Sequence, residues 1–269
     1  MSKHPANYRF KPNFSLDQCE TLPSALMYLD DKACVAMTQT LGERLNKLQT
    51  LLHASQSRGL LVVLQGMDTA GKDGVIRHVF SHVSPLGVRA EAFGAPTADE
   101  LAHDFLWRVH AKSPSLGEMV IFNRSHYEDV LVTRVRELVT PTVWKARYDH
   151  IRHFETLLQD AGIAVVKFML HISKAEQKKR LQARLDDPHK RWKLQTSDFE
   201  DRERWTEFQQ AYHDAMRHTD TADAPWYVIP ADSKPHRDVL IAQTLVDLLE
   251  GMKLKPPHSD LDTHAVLLR

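Results

Sequence analysis

Apolar positions along this chain follow two periods, and the two alternate. Met37, Leu41, Leu45, Leu48 and Leu52 step by three or four, the stripe of an amphipathic helix, with Arg58-Gly59 as its expected end. Leu60 to Leu64 is an unbroken apolar run rich in Val and Leu, as in a strand buried on both faces. Val75, Ile76, Val79, Phe80 and Val83 then form one stripe of a second helix. The alternation continues with a strand at VRAEAF (88–93), a helix at ADELAHDFLWRVH (98–110), a short strand at EMVIF (118–122) and a helix around 142–161. IAVVKFMLHIS (163–173) is a fourth strand, Ser173 to Glu176 has capping-box spacing for another helix, PWYVIP (225–230) is a fifth strand, and Val239 to Leu249 closes the chain's core. Strands separated by helices predict an α/β fold with a parallel five-stranded sheet covered on both faces, because parallel neighbours need a helix-length crossover.

One region breaks the alternation. Residues 174–218 are helical in pattern, interrupted near Pro188 and dense in both charge signs, as expected of an inserted lid. The expected organisation is an N-terminal extension over 1–30 that wraps the core or stays loose, a core over 31–252 with the lid insertion at about 178–205, and a tail over 253–269.

Composition narrows the options. The 269 residues are 42% hydrophobic, enough for a sizeable core, and the formal net charge is zero. A neutral chain has no overall pull toward nucleic acid or membrane, so any basic site must come from local clustering. Two cysteines, Cys19 and Cys34, are too few for a disulfide framework and fit a reducing cytoplasm. The start MSKHPANYRFKPNF has no apolar leader pattern, and no run is long and apolar enough to span a membrane.

The chemistry begins where the first strand meets its helix. Gly66-Met67-Asp68-Thr69-Ala70-Gly71-Lys72-Asp73 has the G-x-x-x-x-G-K spacing of a phosphate-cradling loop, with aspartate where Ser or Thr usually follows the lysine. The glycines permit tight or positive-φ geometry, the amides converge on phosphate oxygens, and the following helix adds its positive end. The phosphate-binding set is therefore Gly66, Met67, Thr69, Ala70, Gly71, Lys72, Asp73 and Gly74, with Lys72 reaching the bond that breaks. A carboxylate beside phosphate is repulsive unless a cation intervenes, which makes Asp68 the candidate metal contact. Asp73 fits two roles, a metal contact or an acid complementing the helix dipole.

The third strand ends in Asn123-Arg124-Ser125-His126-Tyr127-Glu128-Asp129. Ligands of open parallel sheets lie beyond the carboxyl ends of strands, so this loop should face the phosphate loop. An ATPase or GTPase favours aspartate where this chain has Asn123. Arg124 can bridge phosphate oxygens or offset transition-state charge; Glu128 and Asp129 also suit an ordinary helix start. The lid holds ten cations between Lys174 and Arg204, a track for a linear polyanion or a solvated helix face paired with Asp186, Asp187 and Glu200. His78 with His82, and His150 with His153, are spaced by three or four but have no evident third metal ligand, and read as polar helix edges. The guanine signature Asn-Lys-x-Asp of a GTP switch is absent.

GMDTAGKDG, LWRVH, IFNRSHYEDVLVTRV, DPHKRWK and APWYVIPADSK, in this order from about residue 30 to 250, resemble the polyphosphate kinase 2 family. The resemblance implies a three-layer α/β/α P-loop kinase fold with a helical lid. It also implies transfer of the terminal phosphate of inorganic polyphosphate to AMP, ADP or other nucleoside mono- and diphosphates, reversibly and with Mg²⁺. It places Asp68, Lys72, Asn123 and Arg124 at active-site motifs, and Arg184 and Lys193 in the lid. Many members carry Asp-Arg where this chain has Asn123-Arg124; Asn123 with Glu128 resembles the subgroup accepting both mono- and diphosphates, with Glu128 and Arg124 toward the nucleotide. The implied partners are polyphosphate, AMP, ADP, ATP and guanine nucleotides, with neither nucleic acid nor membrane, and a homo-oligomer, dimer or tetramer, is expected. An ATP-dependent nucleoside monophosphate kinase shares core and lid and is the nearest rival; a non-catalytic nucleotide-binding module is the second.

Overall fold

Every residue of β1 (Gly59–Gln65) is buried, which is what its unbroken apolar run requires. In this computed structural model, which describes residues 8–258, β1 is the middle strand of a five-stranded parallel sheet. The other strands are β2 (Val88–Ala92), β3 (Met119–Asn123), β4 (Ile163–His171) and β5 (Trp226–Pro230), in spatial order β2-β3-β1-β4-β5. Leu61 and Val63 face one core and Leu60, Val62 and Leu64 the other, so one strand supports both layers. β1 pairs with β3 on one side and β4 on the other. This strand order puts a switch point at the carboxyl end of β1, where ligands of such sheets bind.

The helices in chain order are α1 (Asp31–Ser55), α2 (Lys72–Val79), α3 (Ala98–Ala102), α4 (Trp107–His110), α5 (Val132–Val135), α6 (Pro141–Asp160), α7 (Lys174–Asp186), α8 (Thr196–Glu203), α9 (Trp205–Thr219) and α10 (Lys234–Gly251). α1, α2 and α10 cover one face of the sheet, and α5, α6 and α9 the other.

Four boundaries differ from the pattern. α1 ends at Gln56, which adopts the left-handed conformation at φ 45°, and Gly59 instead opens β1. A side chain on Gly59 would lie 2.5 Å from Ile163 and 2.7 Å from Ser115 O, so glycine serves close packing there. The stretch 98–110 is two short helices. Thr97 and Glu100 cap the first, and Asp104 then accepts from Leu106 N at 2.9 Å, a local bond that competes with continuing the helix. α2 stops at Val79, although Phe80 and Val83 beyond it remain buried in the same core. α10 also starts earlier than its apolar stripe, at Lys234, with Pro235 in its first turn.

The described part of the N-terminal extension wraps. Phe10 N donates to Trp226 O at 2.8 Å, Arg9 bridges Tyr227, and Phe10 and Leu16 are buried in the core. After β4 the chain enters α7, where Ser173 accepts from Glu176 N at 3.0 Å as the capping pattern requires. A turn at Arg191–Lys193 and α8 follow, before α9 returns to the core through Phe208, Ala211, Tyr212, Ala215 and Met216.

Candidate active site

The loop after β1 turns through Gly66 at φ 148°, Thr69 at φ 67° and Gly71 at φ 107° before α2 begins at Lys72. An added Cβ at Gly71 would lie 2.1 Å from Arg237 Nη1, so any other residue there would have to displace that guanidinium as well as adopt positive φ. Lys72 is buried and donates to Gly66 O at 2.7 Å and Met67 O at 3.5 Å. Burial lowers its pKa, and neighbouring Arg124 pushes the same way against Asp68 and Glu128.

The loop after β3 lies directly alongside. Arg124, left-handed at φ 61°, donates from its backbone N to Leu64 O and from Nη2 to Asp68 Oδ1 at 2.6 Å. Burial would raise the Asp68 carboxyl, yet Lys72 and Arg124 together hold it below its ordinary value, so it is an anion. Burial opposes the charge of Arg124, while Glu128 and Asp68 outweigh that and raise its pKa. Asn123 Nδ2 donates to Asp73 Oδ1 at 2.7 Å, a second tie between the loops.

These residues line one cleft of about 610 Å³. Asp68, Thr69, Gly71, Lys72, Asp73, Gly74, Asn123, Arg124, Arg184 and Lys193 all face it. On the side formed by α7 and the turn after it, Arg184 Nη1 is 4.0 Å from Asp198 Oδ2, and Lys193 Nζ is 4.0 Å from Asp73 Oδ2 across the cleft. Trp192 is 77% exposed, with the Lys193 ammonium 5.1 Å from its ring centroid. Burial, with Asp68 opposite, lifts Asp198 to about 6.

Other expected residues sit elsewhere. Met67 and Ala70 have their side chains in the two cores, and Ala70 N donates to Met67 O at 3.0 Å, closing the turn and taking that amide away from any ligand. Gly66 packs under Leu170, where a Cβ would meet Leu170 O at 2.8 Å. Glu128 is not among the cleft-lining residues; it accepts from Gln65 Nε2 at 3.2 Å behind the wall, and burial raises its pKa against Arg124 and Lys72. His78 pairs with Asp238 at 3.0 Å, and the His82 ring packs against Gly42.

The cleft also holds cations that the sequence pattern did not single out. Arg77 comes from α2, Arg180 from α7, and Lys234 and Arg237 from the start of α10. The PADSKPHRD segment after β5 supplies the last two. For Arg180 no sequence signal existed: it is one of many lid cations, and only the fold buries it.

Among the described residues no group of three or more His, Cys, Asp or Glu gathers as a metal site. Such a gathering is unnecessary for Mg²⁺, which keeps several waters and uses one or two carboxylates together with substrate phosphates. Asp68, anionic and facing the cleft, fits that donor set, with Asp73 on the same wall.

The family description Polyphosphate kinase 2 matches residues 28–257. The AMP/ADP-polyphosphate phosphotransferase of Meiothermus ruber is 49% identical over 263 residues, covering 97% of this chain and 98% of that protein. The ADP-polyphosphate phosphotransferase of Rhodopseudomonas palustris is 41% identical over 235 residues, covering 83% and 81%. The crystal structure of Polyphosphate Kinase 2 from Arthrobacter aurescens superposes with a TM-score of 0.94 at 40% identity, covering 98% of this chain and 95% of that one.

Proposed function

The chain belongs to the polyphosphate kinase 2 family, and on that footing we propose how its cleft performs polyphosphate-driven nucleotide phosphorylation. It is a polyphosphate:nucleotide phosphotransferase that moves the terminal phosphate of polyphosphate onto AMP or ADP, giving ADP or ATP, and runs in reverse. The observation that carries the reading is the charge of the cleft: nine Lys and Arg residues line it against three carboxylates, around a phosphate loop.

An oxygen of the acceptor's terminal phosphate attacks the terminal phosphorus of polyphosphate. The bond from that phosphorus to the next bridging oxygen breaks, and the shortened chain leaves with the electron pair. The attacking oxygen is already anionic, so no strong general base is required, and Asn123 at the end of β3 is compatible with the chemistry. The work is alignment and cancellation of charge between two polyanions. Lys72 and Arg124 hold the transferred group, and Arg184 and Lys193 hold the donor chain from the lid. Mg²⁺ is the divalent cation proposed here: Asp68, with Asp73 beside it, would hold it, and it would neutralise charge on the phosphates. Acceptance of both mono- and diphosphates rests on the resemblance at Asn123, since Glu128 lies behind the cleft wall.

No helix among the described residues is long and apolar enough to cross a membrane. The reading extends to a cytoplasmic homo-oligomer without nucleic acid. The experiment supplies polyphosphate, Mg²⁺ and either AMP or ADP, with ATP omitted. Formation of ADP and ATP is expected. Failure to form either, with ATP-driven phosphorylation of AMP intact, replaces the reading by a nucleoside monophosphate kinase.

A further inference from the structure

The carbonyls of the phosphate loop are held as firmly as its amides. Three in succession accept side-chain hydrogen bonds from outside the loop. Gln177 Nε2 donates to Asp68 O at 3.3 Å. Arg180 Nη1 donates to Thr69 O at 3.0 Å and to Ala70 O at 3.1 Å. Arg237 Nη1 adds a second bond to Ala70 O at 3.3 Å. Gln177 is fully buried and Arg180 is 8% exposed.

Arg180 has no idle donor group. Its Nε bonds Glu176 at 2.8 Å, and its Nη2 bonds Ala231 O at 2.7 Å and Asp232 O at 3.0 Å. One guanidinium on α7 thus ties together the lid's first helix, the phosphate loop and the loop after β5. Gln177 is held in turn: its Oε1 accepts from Arg202 Nη1 of α8 at 3.0 Å, and the same Nη1 bonds Lys174 O at 2.7 Å. A continuous line of hydrogen bonds therefore runs from α8 through α7 into the phosphate loop.

A planar peptide points its C=O and its N–H in opposite directions. Holding the carbonyls of Asp68 and Ala70 therefore also fixes the directions of the amides of Thr69 and Gly71, which point the opposite way. Between them Thr69, a β-branched residue, sits at φ 67°, a conformation that such side chains rarely adopt and that persists only where the surroundings over-determine it. Arg180 bonds the carbonyl of that very residue.

We infer that Gln177 and Arg180 are positioning residues for phosphoryl transfer. They act through the carbonyls of residues 68–70 to aim the loop's amides at the transferred phosphate, and they make the lid's first helix and the phosphate loop one mechanical piece. The inference rests on the phosphotransferase reading of the cleft.

Arg180→Lys keeps the charge and loses the five-donor fork. In the polyphosphate-to-ATP assay, kcat per folded molecule is expected to fall about tenfold to a hundredfold, the scale of a small misplacement of catalytic groups, with the KM for nucleotide near that of the parent and a lower melting temperature from the carbonyls left unpaired. In a Thr69→Gly background the same substitution should cost less, because glycine adopts positive φ without help. A kcat within about twofold of the parent in soluble Arg180→Lys protein overturns the inference, and so does an equal loss in both backgrounds. If Arg180→Lys does not yield soluble protein, Gln177→Met removes the single bond to Asp68 O and carries the test. A fall of about threefold or more in kcat is then expected, and an unchanged kcat overturns the inference. A parent protein that makes no ATP from polyphosphate overturns the phosphotransferase reading, and the inference with it, whereas an active parent with equally active variants overturns the inference alone.

Discussion

Two lysines are buried next to the same central strand, and their surroundings are opposite in kind. Lys167 lies on β4 beside Val63 of β1 and has no exposure. It is ion-paired to Glu155 and donates to Thr219 O at 2.8 Å; Tyr127 donates to Glu155 Oε1 at 2.8 Å, and Trp226 Nε1 to Thr219 Oγ1 at 3.0 Å. Lys72, at the carboxyl end of β1, donates to two carbonyls of its own loop and has no ion pair within 4 Å among the described residues. The first charge is closed off by partners; the second faces a cleft with its charge only partly answered. A buried charge with its partners in place locks structure, whereas one left short of countercharge at a strand end is ready for an anionic ligand.

Substituting the two lysines gives the largest test of that contrast. Lys72→Met should lower kcat/KM by about 1,000-fold while leaving the melting transition near the parent's, because it removes a donor aimed at the transferred phosphate. Lys167→Met should do the reverse. It leaves Glu155 buried without its cation and is expected to cost about 3–5 kcal/mol of unfolding free energy, with turnover per folded molecule unchanged. Denaturant titration beside steady-state kinetics separates the two outcomes, and a Lys72 variant that loses stability in place of rate would erase the distinction.

A smaller effect distinguishes the fixed floor of the cleft from its lid wall. Lys193→Ala should raise the KM for polyphosphate severalfold, to about five times the parent value, with kcat little changed, and should flatten the dependence of log KM on log salt by about one unit. An unchanged salt slope would remove Lys193 from the polyphosphate track.

The smallest effect concerns Asp198, which titrates at about 6. Its folded pKa lies above the usual aspartate value, so it is charged above pH 6 and neutral below. Among the groups around it, Arg184 and Arg124 favour the charged form and Asp68 opposes it. Lowering pH from 7.5 to 5.5 removes one negative charge from the lid wall and should reduce the KM for polyphosphate about twofold to threefold. Asp198→Asn should lose that component of the pH profile. Stability carries the same sign: the charged, raised carboxylate costs stability above its pKa, and that cost fades as pH falls through about 6.

Much of the layout was legible because it rests on local pattern. The Leu60–Leu64 run, the glycine spacing at 66 and 71 and the polar burst after Phe122 fix the sheet's middle and place two loops at one edge. The misses share a physical cause. Asp104 accepts from Leu106 N between two short helices, a side-chain bond that periodicity does not register. Ala70 matches the phosphate motif yet turns its amide to Met67. Arg180 and Arg237 look like ordinary surface cations in the sequence, and only tertiary packing buries them under the loop. Spacing reports which residues share an element; it does not report which of them a third element covers.

The charge of the cleft has a consequence for everything outside it. Nine cations and three carboxylates line it, while the whole chain is formally neutral, so by formal count the rest of the chain is net negative. The pull on a polyanion is therefore confined to the cleft and does not show in the chain's overall charge.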